Sequence, residues 1–197
     1  PTQKKDGIYR PRVRGITRGR AKFLQMEFSV PKLLFGNNLD ELSESDFPKV
    51  ISELNKRLAE LGIIVSPAKL KEATVSSFHP SKNIHLKNGY TSSFVISELS
   101  KINLTRRLDL NKDNFRNEGQ SIQCYANSHS FVMYDKIQDL NKTKKRAVDK
   151  DQTAQQLSLF TRVNKNKELN EVLRFEVRLS KKVKMNSILT KLGHEQN

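Results

Sequence analysis

The sequence predicts a two-layer α+β domain, with a central, largely antiparallel sheet and helices on one face. Three observations predict it. Several short runs alternate apolar and polar residues at period two; in the clearest, Leu173, Phe175, Val177 and Leu179 oppose Arg174, Glu176 and Arg178. Two other stretches place apolar residues at helical spacing. The connections are short, and the order reads β-β-α-β-α-β-β-(α)-β.

Taken in order, Arg10, Arg12 and Arg14 fall on one side of a first strand, and Gly15 to Gly19 read as a turn. In "AKFLQMEFSV", Leu24, Met26 and Phe28 share one face, and Gln25, Glu27 and Ser29 the other. Pro31 ends this strand and "FGNN" signals a turn. "SDFPKVISELNKRLAELG" predicts a helix, with Asp46 as N-cap, Pro48 in the first turn and Gly62 past the end. Its stripe of Val50, Ile51, Leu54, Leu58 and Leu61 should pack on the sheet. "ATVSSFH" reads as a third strand broken by Pro80, followed by a short "NIHL" segment and an Asn88-Gly89 turn. A second helix follows in "TSSFVISELSKI", capped by Thr91 or Ser92, with Phe94, Val95, Leu99 and Ile102 inward. Ile122–Tyr125 and Phe131–Tyr134 form a hairpin around "ANSH". Residues 141–169 are polar and basic, with a short helix expected near Ala154–Phe160. The strand from Glu171 to Ser180 and a closing helix over "MNSILTKLG" complete the chain.

Composition bounds the partners. The 197 residues carry 36 Lys and Arg against 21 Asp and Glu, a formal charge of +15. Such a domain meets a polyanion, and nucleic acid is the first choice. The bland alternative is a ribosomal or crystallisation-friendly surface with no specific role, and a basic structural protein of a particle is a third reading. Cys124 is the only cysteine, which excludes an internal disulfide framework and cysteine-type zinc sites and fits a reducing compartment. No apolar run reaches membrane length and the start carries no signal-peptide pattern. The missing initiator Met and the polar tail suggest one domain, 1–197, that is a fragment of a longer protein.

If the apolar sides of the strands pack on the helices, alternation sends Glu27, His79, Tyr134 and Glu176 to one exposed face, together with Arg174 and Arg178. Each has an ordinary explanation: a solvated or ion-paired Glu, a structural His, a Tyr packed at the sheet edge. Together they suit a harder task. Two carboxylates and an imidazole are donors for Mg²⁺ or Mn²⁺. A tyrosine hydroxyl beside such an ion is a nucleophile for a phosphodiester, and the basic residues hold the rest of the backbone.

The stretches "QMEFSVPKLLFGNN", "ATVSSFHPSKNIHL", "FVMYDKIQDL" and "EVLRFEVRLS", in this order and spacing, resemble the gene II/X family of phage and plasmid replication proteins. The resemblance runs over nearly the whole chain. It implies a fold like the rolling-circle Rep nucleases. It also implies an enzyme that nicks one DNA strand at an origin, keeps the 5′ phosphate on a tyrosine, later rejoins the strand, and needs a divalent metal. By this resemblance Tyr134 is the catalytic tyrosine, within Tyr134-Asp135-Lys136. Glu27 precedes the Ser-x-Pro-Lys turn, and Arg174-Phe175-Glu176 matches the family's Arg-Phe-Glu strand. His79 stands where the filamentous-phage members carry Asp. The His–hydrophobic–His triplet of many rolling-circle initiators is absent.

The resulting expectation is a DNA endonuclease and strand transferase. Glu27, His79 and Glu176 hold the metal, with His85 and Asp109 as alternative ligands. Tyr134 attacks, with Tyr125 as the rival nucleophile, and Lys136 stabilises charge or helps the phenol ionise. Arg10, Arg12, Arg14, Arg18, Arg20, Arg174 and Arg178 track DNA. The substrate is single-stranded or hairpin origin DNA. A host helicase or polymerase is a further partner, in the cytoplasm of a bacterial host. The rival reading is a non-enzymatic nucleic-acid-binding domain in which Tyr134 stacks a base.

Overall fold

The computed structural model describes residues 7–107, 112–116, 119–141, 153, 155–156, 158–159 and 171–193. The fold is α+β, as the alternation predicts. Packing divides the chain into two compact units, Pro1–Ala73 with Thr143–Lys165, and Thr74–Lys142 with Asn166–Asn197.

The first unit begins with a hairpin of β1 (Arg12–Arg18) and β2 (Ala21–Glu27). The turn lies at Gly19-Arg20, later than the sequence suggests, and Gly15 is inside the strand. Gly19 has φ +59 at the first central position of a two-residue turn, where a left-handed backbone matches the twist of the strands. β2 pairs only with β1. Alternation alone would place β2 in the main sheet; the tight turn satisfies its ladder locally instead.

Pro31 starts a helix rather than simply ending a strand. It occupies the first turn of α1 (Val30–Phe35), where its missing N–H costs nothing. The long helix α2 spans Phe47–Glu60. Asp46 stands at its N-cap position, as the sequence predicts, but its side chain does not cap α2: it is turned back to Ser43 in a capping box around the preceding 3-10 turn. A short α3 (Pro67–Lys71) follows, with the Ser66 hydroxyl accepting from the Lys69 N–H. The stripe of α2 packs within the first unit. Leu54 and Leu58 bury against Tyr9, Leu33 and Leu70, with Val13 and Met26 from the hairpin root at the margin. Each unit thus closes on a small cluster of buried apolar side chains of its own, and the two clusters replace one large core.

The second unit holds a five-stranded antiparallel sheet in the order β3-β7-β6-β5-β4. The strands are β3 (Ser81–His85), β4 (Lys112–Arg116), β5 (Ser121–Tyr125), β6 (His129–Asp135) and β7 (Val172–Leu179). The β5–β6 hairpin and β7 lie where alternation places them. β3 does not. Thr74–Ser77 form no strand; only Phe78 bridges, to Leu179, and the strand proper starts after Pro80. The register is nevertheless continuous, since Phe78 opposite Leu179 and Ser81 opposite Glu176 keep the same offset. Pro80 lacks a donor but uses its carbonyl, which accepts from Val177 N–H at 3.0 Å. The turn after β3 has φ 58 at Asn88 and φ 77 at Gly89, the conformation that Asn-Gly favours.

Helix α4 (Ser92–Ser100) packs on one side of this sheet; Thr91 is its cap, accepting from the Phe94 N–H. Ile96, fully buried, joins Ile122, Cys124, Met133 and Leu173 in the core. Phe94 and Ile102, expected inward, are about half exposed. Shorter helices α5 (Leu104–Arg107) and α6 (Lys136–Asn141) and a closing α7 (Lys182–Lys191) complete the unit. Asp109 and most of the 141–169 loop lie outside the described residues; of the helix expected near Ala154–Phe160, Gln155, Gln156, Ser158 and Leu159 are described and are helical. Among the described residues no helix is long and apolar enough to cross a membrane.

Candidate functional site

Strand register assembles the site. Tyr134 lies opposite Arg174, Val132 opposite Glu176, and Ser130 opposite Arg178. Residues paired in this way share a face, so Tyr134, Arg174, Glu176 and Arg178 stand on the side away from Met133 and Leu173. β5 adds Ser121 opposite Tyr134 and Tyr125 opposite Ser130. β3 adds Ser81, Asn83 and His85 on the same side. The offset that carries through Pro80 puts His79 opposite Arg178, also on this face.

The face is polar but not bare. Glu176, Val132, Ser121 and Ser130 are buried on it, whereas His79 and His85 are exposed. Its centre is Glu176. Oε1 accepts a 2.7 Å hydrogen bond from Arg178 Nε. Oε2 accepts one from the Tyr134 hydroxyl at 3.1 Å, and Arg174 Nε stands 3.7 Å from it. Arg174 also donates to Asn83 Oδ1 at 3.3 Å. Burial alone would raise the Glu176 pKa. The hydrogen bond and charge of Arg178, the charge of Arg174 and the Tyr134 hydrogen bond outweigh burial and hold it below its ordinary value. Glu176 is therefore an anion at neutral pH, clamped between two guanidiniums and a phenol.

Lys136 is buried, not an ordinary surface lysine. Its ammonium lies 5.6 Å from the centroid of the Tyr134 ring and 3.7 Å from Asp139 Oδ2. The β6-to-α6 junction places it there. Asp135 accepts from the Gln138 N–H at 2.9 Å, so the chain turns into a helix one residue after the tyrosine strand ends. Asp135 followed three residues later by Gln138 is a helix-start signal present in the sequence, and it could have located this junction. Asn83, the second acceptor for Arg174, gives no such signal, because its role depends on pairing between β3 and β7.

The other expected residues are placed differently. Glu27 ends β2 of the first unit, opposite Arg12. Arg12, Arg14, Arg18 and Arg20 are exposed on the hairpin and its turn. Arg10 is buried, and its Nε donates to Glu60 Oε2 at 2.9 Å. That ion pair engages Arg10 inside the first unit. Tyr125 is on the Tyr134 face but toward the Arg178 end, four residues or about 13 Å along the strand direction.

The resemblance implies a divalent ion on Glu27, His79 and Glu176. Among the described residues no three His, Cys, Asp or Glu side chains gather closely enough to hold one. Both Glu176 oxygens are engaged by cations or by the phenol, and two guanidiniums beside it oppose a third positive charge. Around Glu176 itself, the described side chains form no three-donor ion site.

No curated protein and no solved structure matches the chain significantly. A family model does, over residues 6–194, and its description is the N-terminal part of a replication-associated protein, the gene II product. That match takes in both units and every strand of the sheet that carries Tyr134 and Glu176, and the chain belongs to this family of replication-associated proteins.

Proposed function

We propose that this replication-associated protein is a rolling-circle initiator, which nicks one strand of origin DNA and rejoins it through a covalent 5′-phosphotyrosine on Tyr134. One observation carries the reading: the Tyr134 hydroxyl is hydrogen-bonded to a carboxylate that two arginines hold in place. A surface ion pair has no need of a phenol, and a stacking tyrosine has no need of a carboxylate at its hydroxyl.

The chemistry follows from these groups. The phenol oxygen attacks phosphorus, the bond from phosphorus to the 3′ oxygen breaks, the phenol gives up its proton, and the 3′ oxygen takes one. Glu176 orients the phenol and does not retain its proton, because a carboxylate held below its usual range is a far weaker base than a phenolate. Arg174 and Arg178 are the natural receivers of the phosphate, since guanidinium binds phosphate and carboxylate with the same fork geometry. The Lys136 ammonium beside the ring favours the phenolate. Rejoining is the same exchange in reverse, with the 3′ hydroxyl attacking. No step here is routed through a metal. A requirement for Mg²⁺ or Mn²⁺ is a separate part of the proposal, with Glu27, His79 and Glu176 as the side chains to substitute.

The test is a covalent protein–DNA adduct on labelled single-stranded origin DNA, with Mn²⁺ and with EDTA. Tyr134→Phe should reduce the adduct by at least ~10³-fold, since no other group replaces a lost nucleophile. An adduct that survives moves the nucleophile to Tyr125. Tight binding without any adduct would return the protein to the non-enzymatic, nucleic-acid-binding reading.

A further inference from the structure

The β1–β2 hairpin takes no part in the chemistry above, and its surface is unlike that of the sheet. From Arg12 to Glu27 it carries five cations, Arg12, Arg14, Arg18, Arg20 and Lys22, against the single carboxylate of Glu27. Pairing sorts its side chains. Arg12, Arg14, Ile16 and Arg18 share one face with Phe23, Gln25 and Glu27. Val13 and Met26, on the other face, pack against the core of the first unit. The arginine face is therefore the outer one, and Arg12, Arg14, Arg18 and Phe23 are exposed on it. Arg14 stands across the ladder from Gln25 and donates to its Oε1 at 3.0 Å, which holds both side chains upright at the middle of the ribbon.

We propose that this hairpin is a reading ribbon for double-stranded DNA, laid along the major groove with its Arg12–Arg14–Arg18 face toward the bases and phosphates. The proposal rests on the proposed function for its partner, DNA, and names the element and the form of DNA. Dimensions favour the groove. A two-stranded ribbon with side chains fits a major groove about 12 Å wide. Seven residues extend about 23 Å. The chemistry of the outer face also suits base edges: Arg pairs with guanine and Gln with adenine in that groove. A single strand would instead call for a row of aromatic platforms, and the outer face offers one, Phe23.

The measurement is fluorescence anisotropy of the full chain on a labelled duplex of about 30 base pairs and on one of its strands, from about 50 to 200 mM salt. Tyr134→Phe is the background throughout, so no cleavage interferes. Adding Arg14→Ala and Arg18→Ala together should weaken duplex binding by at least ~10-fold and lower the slope of log K against log salt by about 1.8. The loss on the single strand should be several-fold smaller. Arg14→Lys with Arg18→Lys should restore the slope, which separates lost charge from a misfolded hairpin. Equal losses on the two DNA forms, or no loss on the duplex, would overturn the proposal. Because binding is read without chemistry, a chain that forms the adduct but fails here loses only the ribbon, and the converse result loses only the nickase.

Discussion

The hairpin and β7 both present arginines on alternate positions of a strand, yet the two sets work in opposite settings. On the hairpin, Arg14 is tied to a neutral amide and the side chains are exposed. On β7, Arg174 and Arg178 converge on the buried carboxylate of Glu176. Exposed cations act by displacing counterions, so their effect is graded and falls with salt. Clamped cations act by geometry, and salt reaches them little. On the proposed function and ribbon, the difference separates holding DNA from positioning one of its phosphates.

Removing the clamp should give the largest effect. Glu176→Gln leaves two guanidiniums without their anion in a mostly buried place and should cost roughly 2 to 4 kcal/mol in urea unfolding. Adduct formation should fall by at least ~10²-fold, because the phenol loses its charged acceptor. Acid sharpens the point. The folded-state pKa of Glu176 is depressed, so its contribution is complete above the unfolded value near 4.5 and is lost as pH falls through the lower folded value. The stability gap between the wild-type protein and Glu176→Gln should stay constant from about pH 7 to 5.5 and close below about 4.5. A gap that closed near neutral pH would mean that Glu176 is not held as an anion.

The two clamping arginines should differ from each other. Arg174 is the more enclosed and has Asn83 as a second partner, whereas Arg178 is over a third exposed. Arg174→Ala should cost about 2 kcal/mol and Arg178→Ala about 1 kcal/mol in unfolding. In adduct formation the order should reverse if Arg178, with more freedom to turn, is the first to receive the phosphate. Single-turnover rates on the two variants decide this.

What is legible in the sequence follows the same divide between local and non-local causes. The faces of β6 and β7 are legible, because strand alternation is local and fixes Tyr134, Arg174, Glu176 and Arg178 relative to their own strands. That Tyr134 reaches Glu176 needs the register between the strands. The path of the chain through Pro80 is misjudged from sequence, because one missing donor does not end a strand whose carbonyl is still used. β2 is assigned to the wrong sheet, since alternation says which face is apolar but not what covers it. Burial separates Arg10 from the other arginines, although its spacing from Arg12 is the same as that of Arg12 from Arg14.

Glu27 should give the smallest effect on stability and the clearest contrast with Glu176. Both are strand carboxylates beside an arginine, but Glu27 is exposed and stands across from Arg12 at the hairpin root. Glu27→Gln should change unfolding stability by no more than about 0.5 kcal/mol, since a substitution at an exposed surface position changes little. It also removes the only negative charge of the hairpin, so duplex affinity should rise by about 2-fold at low salt, and the gain should fade as salt increases. A stability loss near that of Glu176→Gln would show that Glu27 is held in a network as tight as the clamp and would erase the contrast. A lost adduct at unchanged stability would give Glu27 a chemical role instead. Measuring unfolding, duplex affinity and adduct on this one variant therefore separates a carboxylate that shapes the charge of a DNA-holding ribbon from one that takes part in cutting the strand.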